Sequence, residues 1–467
     1  AGTVTGTSSH GVFARNFGTN LTLETGSVSG GTNGIEAQNN GTGALSSTST
    51  GTVTGVQTGI LAENFGTNLT IAAASASGSD GIIVNNRGTG SLSVTSTGSV
   101  TGTNGRGIQA QNQSTGLDLD INVAGVTGTY DGIYANNAGR GALSVTSTGT
   151  VTGTSINGVF ARNSGTSLTL ETGSVSGGNN GISAENNGTG ALSVTSTGTV
   201  TGTSSNGVFA RNFGTSLTLE TGSVSGGNNG IEVQNNGTGA LSIYGTGNIS
   251  GSNQGIIALN SFAGRDLTIS AVNVSGGNNG IEARNDGTGA LAITTTGDVS
   301  GSGYGIFALN NMNGYNLAIS VDNVSGGSGS GVRAVNYGAG AENITATGAV
   351  SSASADGIFA RNYNNGSHFT VSVADVTGGN HGIDAHNRGN GVLSVTSTGR
   401  ISGNRVGITT NTDAMGSGLN IAAVDVTGGE VGIRANHQGY GALSVRSTGA
   451  VTGALGHGIE VTNGGTG

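Results

Sequence analysis

Apolar residues alternate with polar ones over short runs in this chain, and Gly interrupts each run. In Leu192-Ser-Val194-Thr-Ser-Thr-Gly-Thr-Val200-Thr-Gly202, the residues Leu192, Val194 and Val200 fall on one side of an extended backbone, and Thr195, Thr197, Thr199 and Thr201 on the other. That is the period of a half-buried strand; an amphipathic helix would space its apolar residues three and four apart. A further strand follows each run with the pattern Gly-(Ile/Val)-x-(Ala/Val)-x-Asn, as in Gly207-Val208-Phe209-Ala210-Arg211-Asn212.

The pattern repeats. Gly190–Gly202 recurs almost unchanged at Gly141–Gly153 and in variant form at Gly43–Gly55, Gly90–Gly102, Gly289–Gly301 and Gly441–Gly453, with a second kind of unit, typified by Ser167–Gly178, between successive copies. The first apolar position of each unit (Leu21, Leu45, Leu69, Leu92, Leu117, Leu143, Leu168 and onward to Leu443, with Glu342 and Phe369 in the same series) recurs every 23 to 27 residues, about 25 on average. Three short strands per repeat, separated by Gly-rich corners, predict an all-β fold: a right-handed parallel β-helix, or β-solenoid, of about 19 coils of about 25 residues. Coils stacked at the strand spacing of about 4.8 Å would make residues 1–467 a single continuous array, a rod roughly 90 Å long. Gly is expected at corners for positive φ and close backbone approach. Pro is excluded because every interior strand must donate to its neighbour.

Period two carries the Asn that closes the third strand inward together with the Ile and Ala before it. It recurs at Asn16, Asn39, Asn64, Asn86, Asn112, Asn137, Asn163, Asn186, Asn212, Asn235, Asn260, Asn285, Asn310, Asn336, Asn362, Asn387 and Asn463, with Thr412 and His437 replacing it in two coils. In register, each amide can donate to the carbonyl of the next, an internal Asn ladder that pairs otherwise costly buried polar groups.

Composition then narrows the function. The 94 Gly follow no every-third rule and there is no Pro, which excludes collagen. Only 8% of residues are charged, the 15 basic residues are scattered Arg, and the net charge is −9, so a nucleic-acid partner is excluded. The regular apolar pattern argues against a disordered tract. No apolar run approaches the length of a membrane helix, so no membrane span is expected in this segment, and no signal peptide opens the chain. The absence of Cys suits a chain that crosses an oxidising compartment unfolded.

The outward columns are where function is expected. On the third strand the position after Ile/Val reads Phe13, Glu36, Leu61, Ile83, Gln109, Tyr134, Phe160, Ser183, Phe209, Glu232, Ile257, Glu282, Phe307, Arg333, Phe359 and Asp384, so large apolar residues alternate with carboxylates. The column beside it carries Arg15, Arg162, Arg211, Arg284 and Arg361. Phe13, Tyr134, Phe160, Phe209, Phe307 and Phe359 with Arg162, Arg211, Glu232 and Glu282 form a candidate interaction face. Its mixture of aromatic rings, Arg and carboxylates could meet a copy of itself. The alternative is that each Phe packs on a neighbouring Arg or Gln stem. The outward Thr pairs are mainly in alternate coils, which fits strand propensity on a solvated face better than an ice-binding array.

Catalytic chemistry finds little here. The best carboxylate pair, Asp118 and Asp120, has no acid–base partner in sequence, and a β-helix enzyme acting on polysaccharide would need acids and bases clustered in a groove. His10, His368, His381, His386, His437 and His457 do not share metal-ligand spacing, and no Ca²⁺-binding nonapeptide or phosphate loop occurs. No enzyme activity, cofactor or metal is expected.

Repeated GALSVTSTGTVTG with NGIxAxN resembles the passenger regions of bacterial type V autotransporters, the AIDA-like adhesins, over essentially the whole chain. The resemblance implies an extracellular location on a bacterial cell surface and adhesion or self-association, as in cell aggregation and biofilm, with a second copy or a host or cell-surface ligand as partner. The chain begins and ends inside a repeat, the expectation for a piece of a longer passenger. Because Thr3–Asn16 and Val451–Asn463 read as ordinary repeats, the alternative expectation is a subunit of an extracellular filament or sheath built by end-to-end stacking.

Overall fold

A computed structural model describes residues 2–363 and 366–466. Among these residues all regular structure is strand, and no helix is long and apolar enough to cross a membrane. The chain divides into two compact units, Ala1–Gly227 and Asn228–Gly467. Each is a stack of parallel coils, so the expected β-solenoid is the fold.

A representative coil of the first unit has strands Leu168–Thr172, Val175–Gly177 and Ile182–Asn186. The next coil repeats them at Leu192–Ser196, Val200–Gly202 and Val208–Asn212. Register is set by like meeting like: Leu168 faces Leu192, Leu170 faces Val194, Val175 faces Val200, and Ile182 faces Val208. These side chains are 0 to 1% exposed and fill the interior as continuous apolar columns. Burying one Leu or Val contributes about 1.5–3 kcal/mol. A slip of one residue would turn a whole column outward, so the apolar pattern holds the register.

Four coils of the first unit depart from the three-strand expectation. Their first and second strands fuse into Leu45–Gly55, Leu69–Gly78, Leu92–Gly102 and Leu119–Gly128. From its first inward Leu to its second-strand apolar residue, the coil at Leu69 is one residue shorter than the coils beside it, and the ladders absorb the difference as register shifts between Ser49 and Thr52 and between Ser96 and Val100. The second unit keeps three strands per coil, as in Leu291–Thr295, Val299–Gly301 and Ile306–Asn310.

Two expectations are corrected. The inward residue opening the fifth coil is Leu119, which faces Leu92 and Leu143; Leu117 is 47% exposed. A turn closed by Gly116 N–H donating to the Gln113 carbonyl lengthens that corner and displaces the series by two residues. Positive φ also does not account for the glycines, since Gly441 alone adopts it among the described residues. The reason is space. A Cβ on Gly276 would lie 1.8 Å from the Asn279 carbonyl oxygen, because the corner folds that carbonyl directly over the glycine.

Candidate functional site

Within each unit the inward Asn residues form the expected ladder, except that Asn463 in the last coil is exposed and its Oδ1 accepts the Gly465 N–H. Within the first unit the Nδ2 of Asn39, Asn64, Asn86, Asn112, Asn137 and Asn163 each donates to the Oδ1 of the next ladder Asn at 2.8–3.1 Å. Within the second unit the run from Asn235 to Asn387 does the same. The second Nδ2 proton closes the corner, as where Asn86 donates to the Gly90 carbonyl at 2.9 Å. The Oδ1 often also accepts the amide two residues on, as Gly41 donates to Asn39. The ladder amides therefore answer to one another and to their own corners, which assigns them to structure. In the two exceptional coils Thr412 Oγ1 pairs with His437 Nδ1, and both side chains are fully buried.

Many Asp and Asn residues at the corners have an equally structural use, which sequence spacing does not reveal. Each lends Oδ1 to a backbone N–H in the following coil. Asp118 accepts from Ala142 at 2.8 Å and Asp266 from Ala290 at 2.7 Å. Asn273 accepts from Asp298 at 2.9 Å, and Asp425 from Ala450 at 2.8 Å. Asp80 accepts from Arg106 at 2.8 Å. The Asp118–Asp120 pair is thereby explained: Asp118 caps the next coil, while partial burial and then the Asp118 charge push the Asp120 carboxyl above its ordinary value.

The outward face of the third strand is built from matched pairs. In several coils the corner residue three positions before the outward residue contacts it. Asn33 donates to Glu36 at 2.7 Å, Asn229 to Glu232 at 3.0 Å and Asn279 to Glu282 at 3.2 Å. Arg106 donates to Gln109, while His10 stacks on Phe13 and Tyr304 packs on Phe307 with ring centroids 5.4 and 5.6 Å apart.

Stacking also runs between coils. Tyr134 lies between the Arg106 guanidinium, 4.4 Å from its centroid, and Phe160, 4.9 Å away and nearly parallel. Arg333 and Arg361 stand 4.5 and 3.9 Å from the Phe359 centroid, and Arg333 also reaches Phe307 at 5.8 Å. Arg211 lies 5.5 Å from the Phe209 ring, and Arg162 faces Glu185 at 3.6 Å. The candidate face is thus a partnered aromatic–guanidinium surface. Phe13, at 54%, is its most exposed ring; the other five are half-buried.

The cluster closest to metal chemistry is Asp356, His381 and Asp384, whose potential ligand atoms lie within 4.8 Å of one another. Its hydrogen bonds account for it. Asp356 Oδ1 already accepts from the His381 backbone N–H and from Asn380 Nδ2, and it faces His381 Nδ1. Asp384 is held by the Arg361 guanidinium, whose charge opposes a bound cation. His381 and Asp384 are three apart in sequence; Asp356 joins them only through the coil register.

Sequence reasoning also passed over the corner that follows the ladder. Phe17, Phe262 and Met312 stand there 73 to 76% exposed, and Tyr337 stacks on Tyr363 at 4.3 Å with Arg388 5.1 Å from the Tyr363 ring. Their signal was their place one or two residues after the ladder Asn. No protein-family profile, curated protein or solved structure matches the chain.

Proposed function

We propose that the chain is a non-catalytic, surface-displayed solenoid of the adhesive passenger kind, and that it works through contact with further copies of itself. One observation carries this reading: the outward third-strand face joins aromatic rings to Arg and carboxylate groups in repeated columns, as in Phe307, Arg333, Phe359, Arg361 and Asp384. Aromatic residues and Arg are the groups enriched where protein surfaces meet, and alternating charge permits self-complementarity. Asp118 and Asp266 lend an oxygen to backbone amides of the following coil, which supports a structural use for these conspicuous acids. An extracellular, bacterial cell-surface location and bacterial aggregation follow from the autotransporter resemblance and belong to the same proposal.

The test replaces Phe160, Phe209, Phe307 and Phe359 by Ser and compares sedimentation and light scattering with those of the parent over a concentration series. The melting temperature is recorded to separate association from folding. Association should weaken in the folded variant. Undiminished association would overturn the reading, and continuous filaments in electron micrographs of both proteins would favour the filament-subunit alternative.

A further inference from the structure

A carboxyl group lies inside the apolar interior. Glu342 opens the strand Glu342–Ala346 at the inward position that most other coils give to Leu, and it faces Leu317 in the preceding coil and Phe369 in the following one. It is 0% exposed, and among the described residues neither carboxyl oxygen has a hydrogen-bond partner. An isolated carboxylate at such a site costs several kcal/mol, far more than the neutral acid.

The surrounding strands offer no ion pair. Leu317–Val321 and Phe369–Val373 contain no charged residue; Asp322 and His368 flank them. Opposite, Val332–Asn336 and Ile358–Asn362 carry Arg333 and Arg361 at outward positions, where they engage Phe359 and, for Arg361, Asp384. Tyr337 and Tyr363 stack on each other at the neighbouring corner. Burial pushes the Glu342 carboxyl well above its ordinary value, and the attraction of Arg361 offsets this only in part.

We propose that Glu342 makes its coil an alkali-sensitive element of the second unit, opened progressively as the pH rises. Opening the coil brings the side chain into water, where it ionises as an ordinary carboxyl and releases its proton to solvent. The closed coil keeps the proton. Below the ordinary carboxyl value Glu342 is protonated in both states and does not favour opening. Between that value and the raised value of the buried acid, each pH unit favours the open state about tenfold, and above the raised value the loss is complete. Because a coil touches only its neighbours, opening should reach the strands at Leu317 and Phe369 first.

The experiment uses the full chain with E342Q and E342L. Hydrogen-exchange protection, corrected for the intrinsic pH dependence of exchange, is followed over Leu317–Val321, Glu342–Ala346 and Phe369–Val373 from mildly acid to alkaline pH. Infrared difference spectra between parent and variant report a protonated carboxylic acid at neutral pH. The parent should show the acid's carbonyl band and lose protection about tenfold per pH unit, while the variants show neither. E342L carries the comparison if E342Q does not fold. A missing acid band in the parent, or the same pH course in the parent and a folded variant, would overturn the proposal.

Discussion

Asp356 Oδ1 binds His381 twice, accepting its backbone N–H at 3.0 Å and facing its ring Nδ1 at 2.9 Å. One carboxylate oxygen thus fixes both the path of the next coil and the orientation of the side chain that coil presents.

The pairing makes this corner sensitive to acid. Burial alone would raise the Asp356 carboxyl, but the side-chain and backbone hydrogen bonds from His381, the attraction of that ring and the Asn380 contact outweigh it and hold the group below its ordinary value. The stability so gained is present above the ordinary Asp value and is lost as the pH falls through the lowered one. Asp356→Ala should destabilise the second unit by about 1–3 kcal/mol at neutral pH, because it orphans buried donors. Asp356→Asn should cost less, since an amide oxygen can still accept the His381 N–H. Urea denaturation at about pH 7 and about pH 2 checks both, with the gap between parent and Asn variant narrowing in acid.

The ladder predicts a local cost. Asn310 accepts from Asn285 at 3.0 Å and donates to Asn336 at 2.9 Å and to the Asn316 carbonyl at 3.3 Å. Asn310→Leu keeps a similar volume but leaves a donor on one side and acceptors on the other unpaired in an interior that water does not reach. The expected loss is about 2–5 kcal/mol, from several orphaned groups at about 1–3 kcal/mol each. Thermal unfolding measures it, and an unchanged melting temperature would contradict an inward ladder that stabilises the stack.

A corner glycine should be as demanding as a core residue. Gly276 is not in the left-handed region, so a torsional account predicts that Ala is tolerated there. The close approach of the Asn279 carbonyl predicts the reverse, because backbone atoms cannot move aside as a flexible side chain can. Gly276→Ala should lower stability by at least about 1–3 kcal/mol, the range for overpacking in a tight interior. Gly125→Ala provides the control: its nearest atom would be 3.3 Å away and the next 3.9 Å, so its effect should be smaller.

How much of this was legible in the sequence depends on whether the information was local. Leu192, Val194 and Val200 announced their inward positions by period two, and the ladder Asn followed from the same parity. Leu117 and Leu119 share that parity, so alternation could not say which one enters the core. The turn closed by Gly116 and Gln113 decides it. The roles of Asp118 and Asp356 lie with partners 24 and 25 residues away, a separation that varies from coil to coil. Glu342 was visible as a break in the apolar series, but its isolation required knowing what faced it from both adjacent coils.

The coils that break the ladder supply the last prediction. Asn387 is followed in its column by Thr412 and His437, and His437 Nε2 is buried without a partner among the described residues. Thr412 presents one hydroxyl where an amide would offer two donors and an acceptor, so this part of the column keeps the Thr412 Oγ1–His437 Nδ1 bond but has fewer groups to pair than a run of amides. Replacing both residues by Asn should extend the ladder from Asn387 through two further coils, with each new amide also able to reach its own corner carbonyl. Thr412→Asn with His437→Asn should therefore stabilise the second unit by about 1–3 kcal/mol, from hydrogen bonds worth about 1 kcal/mol each and the removal of an orphaned ring nitrogen. The single variants place an Asn beside His or Thr, so the gain should be cooperative, with a coupling of about 0.5–3 kcal/mol in a double-mutant cycle. Urea denaturation of the four proteins measures that coupling. A value of zero would mean that the two amides do not bond to each other, and a negative gain would show that the Thr412–His437 pair already satisfies this part of the column better than the ladder would.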